Sequence, residues 1–356
     1  MNYTNTVFIE FYKAVNLGDD LFVKALLEKY PKQRFTIIAG KNYSKILSEY
    51  KNVSVLCSIY DRMRSLIDDN LLIKKYSYKN IIASKCMLSV LIGGSIFIEP
   101  FLPRFKNNLI KKKELYVIGA SFGPFSSQKY YSYCEEYISS LDDMCFRDYN
   151  SYKLFERMKN VRCAPDILFA QYRYSDDIGE GVFVSAMDFS RRSGNLKNYQ
   201  DEYEEYVISA IRFYRKKSER IVLCSFCKIE GDEWAINSIV RKLTPEEQSV
   251  CRLIMYNGMN SAEVVENIRS SRIIIGTRFH SVVLGLTMGR HVIAISYSNK
   301  TSEMLKDLGF DDKFVRIDNC KNGQINTIHI SKEKQRELAE KSKSHFSVLD
   351  SALIFD

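Results

Sequence analysis

Short apolar runs alternate along the chain with longer segments in which apolar residues recur at a helical period. Residues 18–30 and 126–140 are two such segments, and both predict helices. Seven apolar runs in the first half are typical of buried strands: TVFIEF, RFTIIAG, VSVLCS, LSVLIGG, ELYVIGA, DMCFRD and VRCAPD. Mainly apolar strands that alternate with helices predict a parallel sheet covered on both faces.

The alternation pauses at residues 169–181, which are polar, contain two glycines and lack periodicity, so we interpret them as a linker. A second series follows, with strands GVFVSAM, RIVLCSF, CRLIMY, RIIIG and HVIAIS and with helices over 199–217, over 231–243, from Ser261 and from Phe279. We therefore predict an α/β fold of two doubly wound Rossmann-like domains, residues 1–172 and 180–330. A C-terminal helical segment covers 331–356, and the sequence leaves open which domain it packs on.

Composition agrees with this division, because 356 residues exceed the usual size of one hydrophobic core and 46% of them are apolar. The net charge of +9 favours anionic partners, but the basic residues are spread too thinly to predict nucleic-acid binding. Nine cysteines, mostly in apolar runs, indicate reduced core thiols and a cytosolic protein. Cys224 and Cys227 have zinc-like spacing, yet no second pair follows, so we predict no metal site.

Neither the N-terminus nor any internal run predicts a membrane segment. The first residues lack the basic, apolar and small-residue regions of a signal peptide. The most membrane-like run, residues 81–98, contains Lys85 and the pair Gly93-Gly94. A buried strand followed by a glycine turn fits this run better than a membrane span.

Polar residues gather where the predicted strands of the first domain lead into helices. In open parallel sheets, ligands bind beyond the carboxyl ends of the strands, near the free N–H groups of helix N-termini. Some of these residues also fit structural roles, since Asp19 could cap a helix and Arg147 could pair with Asp148. The candidate substrate-binding residues of this domain are Asn16, Gly18, Asp19, Gly93, Gly94, Ser121 and Arg147.

In the second domain, Arg278 and His280 stand between the buried strand RIIIG and an apolar helix. Burying an unpaired guanidinium costs several kcal/mol, so Arg278 requires either a permanent acidic partner or an anionic ligand. Lys300, after the next strand, is a second candidate cation for a phosphate group. His280 is a candidate acid or base because the ordinary pKa of histidine lies near neutrality.

One motif points to another chemistry. Residues 119–123, GASFG, match the G-x-S-x-G nucleophile elbow, and the order Ser121, Asp166, His280 is the triad order of α/β-hydrolases. In an elbow the helix begins directly after the serine, whereas Pro124 and two following serines predict a start near Ser126. The hydrolase interpretation also gives Arg278 no role. We therefore favour the hydrolase interpretation less than one in which Arg278 takes part in anion binding.

In combination, these motifs resemble the polysaccharide pyruvyl transferase family over about residues 5–310. Two positions depart from the family's usual pattern: Ser95 replaces a third glycine, and His291, which we expect at a strand edge, replaces a proline. The matching motifs, in order, are Asn16-x-Gly18-Asp19, Gly93-Gly94, Gly119-x-Ser121-x-Gly123-Pro124, Arg147-Asp148 with Ser151, Ala164-Pro165-Asp166, Arg278-x-His280 and Tyr297-x-x-Lys300.

The resemblance implies a GT-B-like fold in which two Rossmann-like domains face a central cleft, the first on the acceptor side and the second on the donor side. It implies phosphoenolpyruvate as donor, with no metal or other cofactor. The pyruvyl group would pass to two hydroxyls of a sugar in a capsule, exopolysaccharide or cell-wall polymer, as a cyclic ketal with release of phosphate. The enzyme would be cytoplasmic, with peripheral inner-membrane contact if its acceptor is lipid-linked.

Within this chemistry the site residues take hypothetical roles. Arg278 would bind the donor carboxylate, Lys300 and a helix N-terminus its phosphate, and His280 would act as acid or base. Asp19, Gly94 and Ser121 would face the acceptor. Two alternatives stay open: a GT-B glycosyltransferase with a nucleotide-sugar donor, and a non-catalytic saccharide-binding protein. We expect the loops YRYSDDIGEG and SRRSGN to influence acceptor choice.

Overall fold

The computed structural model describes residues 3–57, 78–99, 113–192, 194–216 and 219–353. The chain divides into two compact units. Unit 1 comprises Met1–Lys13, Asp19–Ile167 and Lys341–Asp356, and unit 2 comprises Ala14–Gly18 and Leu168–Glu340. Each unit is built on its own parallel sheet, so the predicted α/β fold with two Rossmann-like parts is confirmed.

Unit 1 contains a seven-stranded parallel sheet in the order β3-β2-β1-β4-β5-β6-β7. Strands β1, β4, β5 and β6 are buried at every position, whereas edge strands β3 and β7 are partly exposed, as expected when helices cover both faces of the centre. The strands are β1 Thr6–Glu10, β2 Arg34–Ala39, β3 Val53–Cys57, β4 Leu88–Ile92, β5 Leu115–Ala120, β6 Asp143–Phe146 and β7 Val161–Cys163. The helices are α1 Leu17–Lys29, α2 Lys41–Ile46, α3 Tyr78–Lys85, α4 Gln128–Ser139 and α5 Tyr149–Phe155.

Unit 2 contains a six-stranded parallel sheet in the order β10-β9-β8-β11-β12-β13. The last strand has only two residues, too few for a hydrophobic pattern, and the sequence did not predict it. The strands are β8 Val182–Ser185, β9 Ile221–Ser225, β10 Cys251–Met255, β11 Ile273–Gly276, β12 His291–Ser296 and β13 Val315–Arg316. The helices are α6 Leu168–Gln171, α7 Gln200–Tyr214, α8 Asp232–Lys242, α9 Pro245–Ser249, α10 Ser261–Arg269, α11 Phe279–Thr287 and α12 Asn299–Asp307.

Each sheet has one point at which the strand order reverses. It lies between β1 and β4 in unit 1 and between β8 and β11 in unit 2. At such a switch point the loops leaving neighbouring strands run in opposite directions and open a crevice for ligands. The glycine pair after β4 and the Arg278-x-His280 motif after β11 therefore occupy the position that the topology favours for binding.

The C-terminal segment belongs to both units. Helix α13, Lys332–Ser342, starts on unit 2, where the Gln335 amide donates to the carbonyls of Phe169 and Tyr172 at 3.4 and 3.2 Å. The following residues pack on unit 1: the Ser342 hydroxyl donates to the Asp166 carbonyl at 2.8 Å. Helix α14, Ser347–Leu353, continues there.

The observed division of the chain differs from the predicted ranges at three places. Unit 2 begins at Leu168, before the predicted linker ends, because helix α6 packs against α11. Residues 14–18 group with unit 2, and residues 341–356 group with unit 1. These assignments depend on contacts distant in sequence, which hydrophobic periodicity does not report. The predicted end of one helix, at Lys217, lies outside the described residues.

Two further expectations concern membranes and thiols. No helix in the described part of the chain is both long enough and apolar enough to cross a membrane. The run 81–98 contains strand β4 followed by Gly93 and Gly94, as predicted. All nine cysteines are free thiols and six are buried: Cys86, Cys134, Cys145, Cys224, Cys227 and Cys320. Among the described residues, no three or more His, Cys, Asp or Glu side chains are grouped to hold a metal ion.

His345 predicts a pH dependence of stability. It is fully buried in unit 1 with Nε2 2.9 Å from the Pro165 carbonyl oxygen, and burial lowers its pKa to about 3. Below about pH 6.5 the imidazole of His345 binds a proton in the unfolded chain but stays neutral in the folded chain. The free energy of unfolding therefore falls as the pH drops from about 6.5 towards 3. Between about pH 7.5 and 5 we expect wild type to lose about 2 kcal/mol more than His345→Gln in urea unfolding. Equal losses in the two proteins would contradict a neutral buried imidazole.

Candidate functional site

Strand β11 and helix α11 are joined by Thr277 and Arg278, and buried hydrogen bonds fix both residues. The Thr277 amide donates to the Ser185 carbonyl at 3.1 Å, and the Tyr203 hydroxyl lies 2.9 Å from Thr277 Oγ1. The Ser281 hydroxyl donates back to the Arg278 carbonyl at 2.6 Å. The junction is therefore held from β8, α7 and the first turn of α11.

Arg278 is 6% exposed, and its guanidinium has two acidic partners. Nε lies 3.1 and 3.0 Å from Oδ1 and Oδ2 of Asp232, Nη2 donates to the same carboxylate, and Nη1 donates to Glu230. Although burial opposes its charge, Asp232 and Glu230 hold the pKa of Arg278 well above its usual range. Of the two alternatives that the sequence allowed for Arg278, a permanent acidic partner is the one found.

The acidic partners are fixed in turn. Asp232 Oδ2 accepts the amide N–H groups of Phe226 and Cys227 at 2.8 and 2.9 Å, which anchors it at the exit of β9. Glu230 also accepts from Arg192 Nη2 at 2.9 Å. Burial works against ionisation of Glu230, but Arg278 and Arg192 lower its pKa to about 2. The two carboxylates and the two guanidinium groups therefore form one connected cluster of opposite charges.

His280 lies in the first turn of α11, and its imidazole is packed against Gly18. A Cβ atom placed on Gly18 would lie 1.7 Å from His280 Nδ1, an overlap that no rotamer adjustment of a few tenths of an ångström relieves. The Gly18 amide donates to Asn16 Oδ1 at 3.1 Å, and the Leu17 amide donates to the Phe226 carbonyl at 3.0 Å. Gly18 is needed here for close approach, and Asn16 fixes the turn that permits it.

In unit 1, Arg147 follows strand β6 and forms a second buried ion pair. Its Nε donates to Ser121 Oγ at 2.9 Å, and its Nη1 donates to Asp166 Oδ2 at 3.1 Å. The guanidinium also lies over Gly94, where an added Cβ would be 2.4 Å from Nη1. Three predicted site residues, Gly94, Ser121 and Arg147, are thus brought together, and Arg147 joins them to Asp166.

The hydrolase interpretation receives no support from these contacts. Helix α4 begins at Gln128, with Ser127 accepting the Tyr130 amide as its N-cap, so the helix starts well after Ser121. Ser121 accepts from Arg147, and Asp166 forms its ion pair with the same arginine. The arrangement is that of a structural cluster. Asp148 caps α5 by accepting the Ser151 amide at 2.8 Å, and Arg147 forms an ion pair with Asp166.

The remaining predicted residues lie at strand exits. Asp19 is buried in the first turn of α1, and Gly93 lies close to it, since an added Cβ on Gly93 would be 3.5 Å from Asp19 Oδ1. Lys300 lies in the first turn of α12, after the strand next to β11, and is half-buried. Lys300 and Arg278 therefore leave the same edge of the same sheet. His291, the first residue of β12, is exposed as expected for a strand edge.

Sequence reasoning missed the acids that hold Arg278. Glu230 and Asp232 occur in the segment KIEGDEW, where acidic residues before a helix are ordinary N-terminal residues. Their one signal in the sequence is their position just after the strand RIVLCSF. The parallel order of β9, β8 and β11 brings them to Arg278, and that order is a tertiary property.

Comparison with known proteins identifies the family. The sequence profile described as polysaccharide pyruvyl transferase matches residues 16–299, most of the chain. The chain belongs to this family. This polysaccharide pyruvyl transferase family member is also similar to the amylovoran biosynthesis protein AmsJ of Erwinia amylovora, with 22% identity over 260 residues. That similarity covers 66% of this chain and 62% of the length of AmsJ.

Solved structures support the fold of this family member. The Anabaena HepE structure in complex with UDP matches with a TM-score of 0.55 at 10% identity, covering 98% of this chain and 99% of HepE. A UDP-N-acetylglucosamine 2-epimerase homologue from Listeria monocytogenes matches with a TM-score of 0.51 at 11% identity, covering 96% and 90% of the two chains. At these identities the likeness concerns the fold alone, and it agrees with the expected GT-B-like α/β architecture.

The contact between Gly18 and His280 gives a testable prediction. In Gly18→Ala the new methyl group must displace the imidazole, so the histidine Cε1–H NMR signal of His280 should shift. Only four histidines are present, and His280→Gln assigns the signal. Gly309→Ala is the control: φ of +83° strains the backbone there, but no atom lies within 4 Å of the added Cβ. An unshifted His280 signal in Gly18→Ala would contradict the contact.

The buried pair in unit 1 gives another prediction. Arg147→Met removes the cation of a buried ion pair and leaves the Asp166 carboxylate buried, so we expect a loss of about 3–5 kcal/mol in unfolding free energy. Adding Asp166→Asn removes the carboxylate charge as well and should restore much of that loss. Arg252→Met breaks an exposed pair with Glu263 and should cost less than about 1 kcal/mol. A double variant as unstable as Arg147→Met would argue against a charge-based cause.

Proposed function

We propose that this protein is a transferase that moves the pyruvyl group of phosphoenolpyruvate onto two hydroxyls of a sugar. The sugar belongs to a cell-surface polysaccharide or its precursor, and the product is a cyclic ketal. The family match over residues 16–299 is the observation that supports this best, because it spans Gly18 and His280 and the strand exits at both switch points.

The reaction sets the chemical requirements. A proton adds to the methylene carbon of phosphoenolpyruvate, which makes the neighbouring carbon electrophilic. One sugar hydroxyl forms a bond to that carbon and loses its proton. The bond between the same carbon and the phosphate oxygen then breaks, and the second hydroxyl adds to the carbon and loses its proton. One proton is consumed and two are released, and the remaining proton leaves with the phosphate. The site must therefore hold an anion with two acidic groups and supply an acid and a base.

His280 is the proposed acid and base. Its imidazole titrates near neutral pH when unperturbed, so one side chain can deliver a proton and later receive one. The contact with Gly18 fixes where the ring lies, and a fixed proton donor avoids the cost of orienting it during the reaction. Gly18 and Asn16 thus act on the histidine by positioning it.

The donor anion is proposed to bind at the carboxyl edge of the unit 2 sheet. A guanidinium carries five N–H groups. Among the described residues, Asp232 accepts the Nε–H group and one Nη2–H group of Arg278, and Glu230 accepts one Nη1–H group. Two N–H groups are then left for a ligand carboxylate. Since Asp232 and Glu230 neutralise the arginine, the charge that attracts phosphate must come from elsewhere. Lys300 and the N-termini of α11 and α12 are the proposed source.

The acceptor is proposed to be a saccharide, with Asp19 as a second base for an attacking hydroxyl. Ser121, Gly94 and Arg147 would support the unit 1 loops, given their contacts with one another. Gly93 would leave room beside Asp19. We propose that the reaction takes place in the cytoplasm, at the inner-membrane surface if the acceptor carries a lipid.

Donor binding is tested by thermal unfolding. We expect phosphoenolpyruvate, but not pyruvate, phosphate or UDP-sugars, to stabilise wild type, by about 2.7 kcal/mol at a hundredfold excess over Kd. Lys300→Ala should lose most of this stabilisation. Lys306→Ala is the matched control, because Lys306 lies on the same helix and pairs with Glu303 at 3.4 Å. Stabilisation by UDP-sugars alone would support the glycosyltransferase alternative instead.

The role of His280 is tested by turnover. His280→Gln should keep the shift with phosphoenolpyruvate while the rate of phosphate release falls by about 10²–10⁴. Near-normal turnover in this variant would remove His280 as the acid or base.

A further inference from the structure

The chain's single tryptophan lies on the surface beside the candidate donor site. Trp234 is in the first turn of α8 and is 58% exposed. The Arg191 guanidinium covers one face of the indole, with its central carbon 4.4 Å from the ring centroid. Trp234 therefore stays more than half exposed even with Arg191 stacked on its ring.

The stacked pair is held by the exits of two adjacent strands, β8 and β9. Asp188 accepts the amide and hydroxyl of Ser190 at 2.9 and 2.6 Å, and its carboxylate lies 3.6 Å from Arg191 Nε. Gly231 packs against Asp188, and the Trp234 amide donates to the Gly231 carbonyl at 3.0 Å. The indole and the guanidinium therefore stand on fixed backbone.

The pair is also continuous with the Arg278 cluster. Arg192, the residue after Arg191, donates to Glu230, and Glu230 accepts from Arg278. Glu230 and Trp234 flank the same turn at the start of α8. A molecule lying on the indole would thus reach the neighbourhood of the proposed donor site.

We propose that Trp234 and Arg191 form a saccharide subsite that binds a pyranose ring of the acceptor. The inference rests on the proposed function for the identity of the acceptor class. A pyranose presents a C–H face and a rim of hydroxyls. The indole offers an apolar face, and Arg191, Glu233 and Lys228 supply hydrogen-bonding groups around it.

The charges around the indole favour a sugar over an anionic lipid surface. Lys228 pairs with Glu233 at 3.4 Å, and Asp188 and Glu230 lie on the two adjoining loops. These carboxylates offset the basic side chains, whereas a membrane-binding patch needs a basic excess near the headgroups. A sugar hydroxyl can both donate and accept a hydrogen bond, so a rim that contains both carboxylates and basic side chains suits a saccharide.

A glycan array probed with the labelled full-length protein tests the subsite without prior choice of a sugar. We expect wild type to bind one or more pyranose glycans, and these glycans to change the fluorescence of Trp234 in solution. Trp234→Ala should weaken their affinity about tenfold or more, equivalent to about 1.4 kcal/mol. Arg191→Gln should weaken it as well. Phe213→Ala, at another exposed aromatic residue on α7, is the matched control and should bind as wild type does.

Three results would overturn the subsite: no glycan bound by wild type, equal affinity in Trp234→Ala, or equal loss in Phe213→Ala. Stabilisation by phosphoenolpyruvate separates this inference from the proposed function. Trp234→Ala should retain that stabilisation if both are correct. If wild type lacks it but still binds glycans through Trp234, the subsite stands and the pyruvyl transfer proposal fails.

Discussion

A guanidinium buried at the end of a parallel strand requires opposite charge within hydrogen-bonding distance, and Arg278 finds it in Asp232 and Glu230. Three loops depend on this cluster. Asp232 accepts two backbone amides at the exit of β9, and Glu230 accepts from Arg192 in the loop after β8. Arg278 itself leads into α11. Removing Asp232 or Glu230 would leave Arg278 with one acidic partner in place of two. The position of His280, two residues beyond Arg278, therefore follows from an electrostatic constraint.

Unit 1 also contains a buried arginine–carboxylate pair that follows a strand. Arg147 follows β6, pairs with Asp166 and lies over the backbone of Gly94, as the His280 ring lies over Gly18 in unit 2. In both places a glycine makes room for a polar side chain that could not otherwise approach the backbone. These contacts give several motif residues a positioning role, which accounts for the small side chains in the sequence pattern without requiring each residue to touch a substrate.

Neutral charge in the Arg278 cluster changes how anion binding has to be explained. In the proposed donor site, the arginine would contribute directional N–H groups, and helix N-termini and Lys300 would supply attraction at longer range. The exposed Trp234 and Arg191 add an apolar surface at the same sheet edge, which the charged cluster itself does not provide.

The sequence alone determined the alternation of strands and helices, since runs such as LSVLI and HVIAIS are mainly apolar, as is typical of strands covered on both faces. It also placed Arg278, His280 and Gly94 at strand exits, because these positions depend on local order along the chain. Only the tertiary structure decided the strand order, and with it the pairing of Arg278 with Asp232 rather than with a ligand alone. It likewise divided the C-terminal segment between two units and brought Gly18 to His280. Such contacts join residues far apart in sequence, and their energies depend on burial and distance, which no local pattern encodes.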